Sequence, residues 1–140
     1  MSVSSSKLYD PIRSKQVASR PEERIRQALL SQMLSCLGFP KGLLAVEKKI
    51  GANRRIDILA YRCQKDNLLP LLLIECKATV RDEKVSFRQA LGYRQACGNP
   101  PFWCVAHEAG IRTFWYEKEE LSSVPFLPPY SQLLTKLHGI

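Results

Sequence analysis

Two carboxylates and an amine stand close together in the middle of the chain: Asp57, within Arg54-Arg55-Ile56-Asp57-Ile58-Leu59-Ala60-Tyr61, and the pair Glu75 and Lys77, within Leu71-Leu72-Leu73-Ile74-Glu75-Cys76-Lys77-Ala78. Both segments are short, rich in apolar and β-branched residues and separated by Gln64-Lys65-Asp66-Asn67, which predicts two antiparallel strands and a turn. Side-chain alternation puts Glu75 and Lys77 on the face of Leu71 and Leu73, and Asp57 on the face of Leu59 and Tyr61. A register that sets Tyr61 across from Leu71 and Leu59 across from Leu73 also sets Asp57 across from Glu75, with Lys77 one step further. Two such carboxylates repel, and burial at the end of an apolar sheet adds to the cost, so a proton or a cation must lie between them. A few hard oxygen ligands suit magnesium or manganese, which keep waters and take further ligands from substrate phosphates. Lys77 can then lower the pKa of an attacking water or neutralise charge on a phosphorane-like transition state. That is the equipment of a phosphodiesterase. Glu-x-Lys alone is common, and on a half-exposed strand it is a solvated cross-strand partner. The setting raises this one, because Leu71 to Ile74 are apolar on both faces, the mark of a central strand covered on two sides.

The elements that must position these groups follow from the rest of the pattern. Residues 1 to about 18 lack periodicity and are expected to be an N-terminal arm or a loosely docked lead-in. Ser19-Arg20-Pro21-Glu22 reads as an N-cap, an early proline and a capping-box glutamate, opening an amphipathic helix through Ile25, Leu29, Met33 and Leu37 that ends at Gly38-Phe39-Pro40. A strand at Leu43 to Ile50 and the turn Gly51-Ala52-Asn53 lead into the Asp57 strand, giving an antiparallel three-strand meander. Val85, Phe87, Ala90 and Leu91 predict a second helix from about Asp82 to Cys97, closed by Gly98-Asn99-Pro100-Pro101. Phe102 to Ala106 is a fourth strand, parallel to the Glu75 strand because a crossover helix precedes it, and Ile111 to Tyr116 is a fifth. The tail, with Pro125, Pro128 and Pro129, wraps the surface before a short Ser131 to Leu137 helix. The reading is an α/β fold with a mixed central sheet flanked by helices on both faces: an arm at 1–18, a core domain at 19–116 and a C-terminal extension at 117–140 packed on it.

A chain of 140 residues, 45% hydrophobic and 24% charged, is long enough to bury one core. It has no run of eighteen apolar residues, so no membrane partner is expected, and its polar start, Met1-Ser2-Val3-Ser4-Ser5-Ser6, does not resemble a secretory leader. The cytoplasm is the expected compartment. The five cysteines, Cys36, Cys63, Cys76, Cys97 and Cys104, are odd in number, never spaced Cys-x-x-Cys and set among apolar residues, which predicts buried reduced thiols. The net charge of +8 and a pI near 9.4 favour a polyanionic partner. Arg54 and Arg55 lead into the Asp57 strand, and Arg81, Lys84, Arg88 and Arg94 follow the Glu75 strand, so phosphate backbone is the natural ligand; a solvated helix face is the plain reading for the last three.

The element order, with an acid on the second strand and Glu-x-Lys on the third, resembles the restriction-endonuclease-like PD-(D/E)XK nuclease superfamily. More narrowly, Pro21-Glu22-Glu23-Arg24-Ile25-Arg26-Gln27, Arg55-Ile56-Asp57-Ile58, Leu73-Ile74-Glu75-Cys76-Lys77-Ala78 and Gln89-Ala90-Leu91-Gly92-Tyr93 resemble the N-terminal nuclease domain of type I restriction enzyme R subunits, from about residue 10 to 116. The resemblance implies a restriction-endonuclease-like core in which Asp57, Glu75 and the Cys76 carbonyl bind Mg2+ or Mn2+ and Lys77 assists the chemistry. It also implies a helix-borne glutamate near the site. Glu22 matches that position best, with Glu23 the fallback and the capping box the purely local alternative. Gln89 and Tyr93 match a Gln-x-x-x-Tyr motif whose spacing puts both on one helix face, to reach DNA or brace the site; packing of Tyr93 against the sheet is the bland alternative. Arg54, Arg55 and Arg88 are the expected phosphate contacts. No Gly-x-x-x-x-Gly-Lys-[Ser/Thr] P-loop occurs, so ATP-driven translocation is excluded for this chain alone. His107 is read as a strand-end surface histidine rather than a site residue. The expected function is a metal-dependent nuclease acting on DNA, working as a homodimer or with a partner protein that supplies specificity. The rival is a catalytically silent nuclease fold kept for nucleic-acid binding or protein docking.

Overall fold

The computed structural model describes residues 7–51, 54–78 and 83–140, with the side chains of Glu83, Lys84 and Ser86 excepted. Arg81, the expected helix start at Asp82 and most of the Gly51-Ala52-Asn53 turn lie outside the described residues, as does the Lys84 side chain. A two-stranded hairpin, β1 (Lys7–Asp10) and β2 (Lys15–Ala18), precedes helix α1 (Pro21–Ser35). Strands β3 (Leu44–Lys49), β4 (Arg55–Gln64) and β5 (Asn67–Cys76) follow, then α2 (Glu83–Ala96), β6 (Phe102–His107), β7 (Gly110–Glu117), β8 (Glu120–Val124) and α3 (Tyr130–Gly139).

The six strands β3 to β8 lie in sequence order in one sheet, antiparallel throughout except at β5 and β6, which are parallel. The meander, the crossover and the parallel fourth strand are therefore as the sequence predicts. Leu30 and Met33 of α1 and Leu133 of α3 pack with Ile58, Leu72 and Ile74 on one face of the sheet. Ala90 of α2 packs with Leu59, Leu73, Trp103 and Val105 on the other. Residues Leu71 to Cys76 of β5 are all buried, as befits a strand covered on both faces.

Several local expectations are corrected. The first eighteen residues contain a docked hairpin rather than only an irregular arm. The N-cap of α1 is Arg20, with Pro21 in the first turn and no side-chain cap bond, so the capping box does not form. Tyr61 lies across from Pro70, not Leu71, because the ladder shifts between Ala60 and Tyr61. Pro70 has no N–H to give that ladder, and a bulge is how a strand tolerates one. As a result Leu71 turns to the α1 and α3 face while Leu73 faces α2. The tail adds β8 to the sheet before α3. All five cysteines are free thiols, but Cys36 and Cys63 are exposed and Cys97 is half-buried, leaving only Cys76 and Cys104 buried.

Candidate metal and nucleic-acid site

The β4 and β5 register, with Leu59 across from Leu73 and Ile58 across from Ile74, carries Asp57 opposite Glu75 at the point where the ladder ends. One step on, Cys76 donates its backbone N–H to Asp57 Oδ2 at 2.8 Å, so a side chain takes the place of a strand partner. Side-chain alternation breaks here. Ile56 joins the cluster under α2, although strict alternation would set it with Ile58 on the opposite face. Across β3, continuing the register from Val46 with Ile58 to Lys48 with Ile56 places Glu47 opposite Asp57. Glu47 has φ of 57°, a left-handed conformation costly for a residue with a side chain and one that collects at functional sites.

The turned Asp57 meets an arginine from α1. Arg26, 5% exposed, donates through Nη2 to Asp57 Oδ1 at 2.6 Å and to Glu47 Oε1 at 2.7 Å, and through Nη1 to Glu23 Oε1 at 2.9 Å. Burial by itself works against the Arg26 charge, but the bond to Asp57 and the negative charges of Asp57, Glu23 and Glu47 outweigh it, so its pKa is raised. Glu75 is 3% exposed and has Lys77 Nζ at 3.5 Å from its Oε2. Burial, then the hydrogen bond and negative charge of Asp57, push its carboxyl up to about 9 against the opposing pull of Lys77. Arg26 thus compensates Asp57, while burial beside Asp57 favours the protonated form of Glu75.

These groups open on a cavity of about 540 Å³. Asp57, Glu75, Cys76 and Lys77 line it together with Glu22, Glu47, Lys49, Arg54, Arg55 and Tyr93. Glu22 is exposed and reaches the cavity, whereas Glu23 is engaged behind it by Arg13, Arg26 and Gln27. The Arg54 guanidinium lies 6.0 Å from the Tyr93 ring centroid. Gln89 and Arg88 are exposed on α2 and do not line the cavity. Arg94 is used structurally, donating to the Pro100 carbonyl at 2.8 Å and lying over the Trp103 ring. His107 lines a separate groove between α1 and the β6–β7 turn.

Asp57 and Glu75 are two hard carboxylates side by side, and the repulsion that raises the Glu75 carboxyl is what a divalent cation would relieve. Among the described residues no group of three or more His, Cys, Asp or Glu is placed to hold a metal ion. A cation at Asp57 and Glu75 would therefore complete its shell with water and substrate oxygens, as magnesium does. Arg26 and Glu47 escaped the sequence reading. The one available signal was Arg26 itself, a charge on the same helical stripe as Leu29, Leu30 and Met33.

Comparison with known proteins supplies one finding on kinship. A family model described as type I restriction enzyme R protein N terminus matches residues 21–128. No curated protein and no solved structure matches the chain.

Proposed function

The chain belongs to the family of type I restriction enzyme R protein N termini, and from that premise we propose that it is a metal-dependent nuclease domain that hydrolyses phosphodiester bonds in DNA. The observation that carries the reading is the meeting of Asp57, Glu75 and Lys77 in one cavity that Lys49, Arg54 and Arg55 also line.

In this reading Asp57, Glu75 and the Cys76 carbonyl hold Mg2+ or Mn2+. The bound ion supplies Lewis-acid polarisation of the scissile phosphate and a more acidic water. Arg26 fixes the Asp57 carboxylate from behind, so its geometry does not depend on the ligand. Lys77 orients or deprotonates the attacking water beside Glu75, and Glu22 adds a carboxylate from the first turn of α1. Arg54, Arg55 and Tyr93 hold the phosphate backbone at the cavity wall, while Gln89 and Arg88 extend that contact along the exposed side of α2. Free thiols suit a reducing cytoplasm. Among the described residues no helix is long and apolar enough to cross a membrane. A double-strand break by one site per chain calls for a second copy or a partner protein.

The test is plasmid nicking with magnesium or manganese, comparing the wild type with Asp57→Ala and Lys77→Ala. Cleavage by the wild type alone is expected, and equal activity in all three would sink the mechanism. One observation favours a second reading. Both Asp57 oxygens are already engaged, by Arg26 and by the Cys76 amide, so that carboxylate is compensated without metal. In a catalytically silent nuclease fold, DNA binding would be salt-sensitive, indifferent to magnesium and unaccompanied by cleavage.

A further inference from the structure

Two residues of the cavity at Asp57 are shared with a neighbouring cavity. Glu22 and Glu47 also line a second cavity of about 660 Å³, bounded on its far side by the β1–β2 hairpin. Residues 7–18 of that hairpin precede the segment shared with the family, 21–128.

The hairpin is joined to α1 through a buried polar cluster. Asp10, 0% exposed, accepts from the backbone N–H groups of Ile12 and Arg13, from Arg13 Nε at 2.6 Å and from Gln27 Nε2 at 2.9 Å. Arg13 Nη2 continues to Glu23 Oε1 at 2.9 Å. Every carboxylate in this cluster has a partner, which fixes the hairpin relative to the helix that carries Glu22 and Arg26.

The charges of the second cavity divide into two kinds. Arg13 and Arg26 are matched by Asp10, Glu23, Glu47 and Asp57. Lys15 and Arg20 also line the cavity, are exposed, and make no ion pair among the described residues. Across the carboxylates, Lys49 and Arg54 line the first cavity and likewise make no ion pair among the described residues. Cations without an ion pair among the described residues thus line each of the two cavities that share the carboxylates of Glu22 and Glu47. A polyanion crossing those carboxylates is repelled by them and must be held on both sides of the reacting phosphate.

We propose that the β1–β2 hairpin and the start of α1 form the second half of a duplex DNA groove, with Lys15 and Arg20 binding backbone phosphates on the side of the scissile bond opposite Lys49 and Arg54. The inference rests on the nuclease reading of the site and deepens it. It extends the substrate's path to Lys15 and Arg20, which precede the family match.

The test measures fluorescence anisotropy of a labelled duplex against salt concentration, with the divalent ion chelated so that no cleavage intervenes. The wild type is compared with Lys15→Ala/Arg20→Ala and with Lys65→Asn/Lys118→Asn, which removes two cations from tight turns at the far end of the sheet. Each lost phosphate contact lowers the slope of log K against log salt by roughly 0.9, so the hairpin double variant should lose about 1.8 from the slope and the far-end variant nothing. A hairpin variant with wild-type slope and affinity overturns the groove while leaving the nuclease reading intact. Equal losses in both double variants also overturn it, because they would mark diffuse attraction. A wild type that does not bind the duplex overturns the inference together with the reading beneath it.

Discussion

Replacing Arg26 by methionine keeps most of the buried stem and removes the guanidinium. The Nε position has no hydrogen-bond partner, so the loss is concentrated in the two terminal nitrogens that hold Asp57, Glu47 and Glu23. Removing one partner of a buried ion pair costs about 3–5 kcal/mol, because the remaining charge stays desolvated. With about 2.1 cal/mol/K of unfolding entropy per residue, a chain of 140 residues loses roughly 3.4 °C of melting temperature per kcal/mol. Arg26→Met should therefore melt about 10–17 °C below the wild type at pH 7 in chelator, followed by circular dichroism. A divalent cation should return part of this: manganese at a hundred times its dissociation constant adds about 2.7 kcal/mol, or roughly 9 °C. The gain should be larger for the variant than for the wild type at equal concentration, since the ion then supplies the charge the arginine gave. Arg26→Met melting within about 3 °C of the wild type in chelator would refute the view that Arg26 is the counter-charge of Asp57.

Glu75→Gln should flatten the pH dependence of stability in the metal-free chain. The folded-state pKa of Glu75, about 9 against 4.5 for a free glutamate carboxyl, means the native state binds the extra proton between those values. Stability is thus fully present below about pH 4.5 and falls as pH rises towards 9, by up to roughly 1.4 kcal/mol per unit. Urea midpoints at pH 6 and pH 8 should show the advantage of the glutamine variant growing with pH, and a constant difference would count against the raised pKa. Glu22→Ala should weaken cation-dependent cleavage with little change in melting temperature, because Glu22 is exposed at the cavity rim. Glu23→Ala should do the reverse first, destabilising by about 1–3 kcal/mol through the loss of its partners Arg13, Arg26 and Gln27, as calorimetry can measure.

What the sequence made legible was carried by short-range periodicity. The pairing of Leu59 with Leu73 was enough to bring Asp57 opposite Glu75, although alternation breaks at Ile56 and the ladder shifts at Tyr61, and one crossover helix was enough to make β6 parallel. Arg26 was missed because its partner Asp57 lies 31 residues away on another element, and an arginine in a helix ordinarily extends to water. Glu47 was missed because its role depends on a left-handed backbone that no glycine or asparagine signals. The β1–β2 hairpin has four-residue strands held to α1 through Asp10 rather than through an apolar stripe, so no hydrophobic period betrays it. Strand β8, Glu120-Leu121-Ser122-Ser123-Val124, is a polar edge strand whose pairing comes from the Lys118-Glu119 turn, with φ of 50° and 67°.

The bond from the Cys76 amide to Asp57 Oδ2 couples a backbone hydrogen to the position of a candidate metal ligand. That hydrogen is a built-in gauge. Its exchange with deuterated solvent requires the Asp57 carboxylate to swing away or the end of the sheet to open, so its protection factor measures how tightly the acid is held. Nuclear magnetic resonance can read it in the resting protein, with neither metal nor substrate present. The bond makes the readiness of the site observable before any reaction begins.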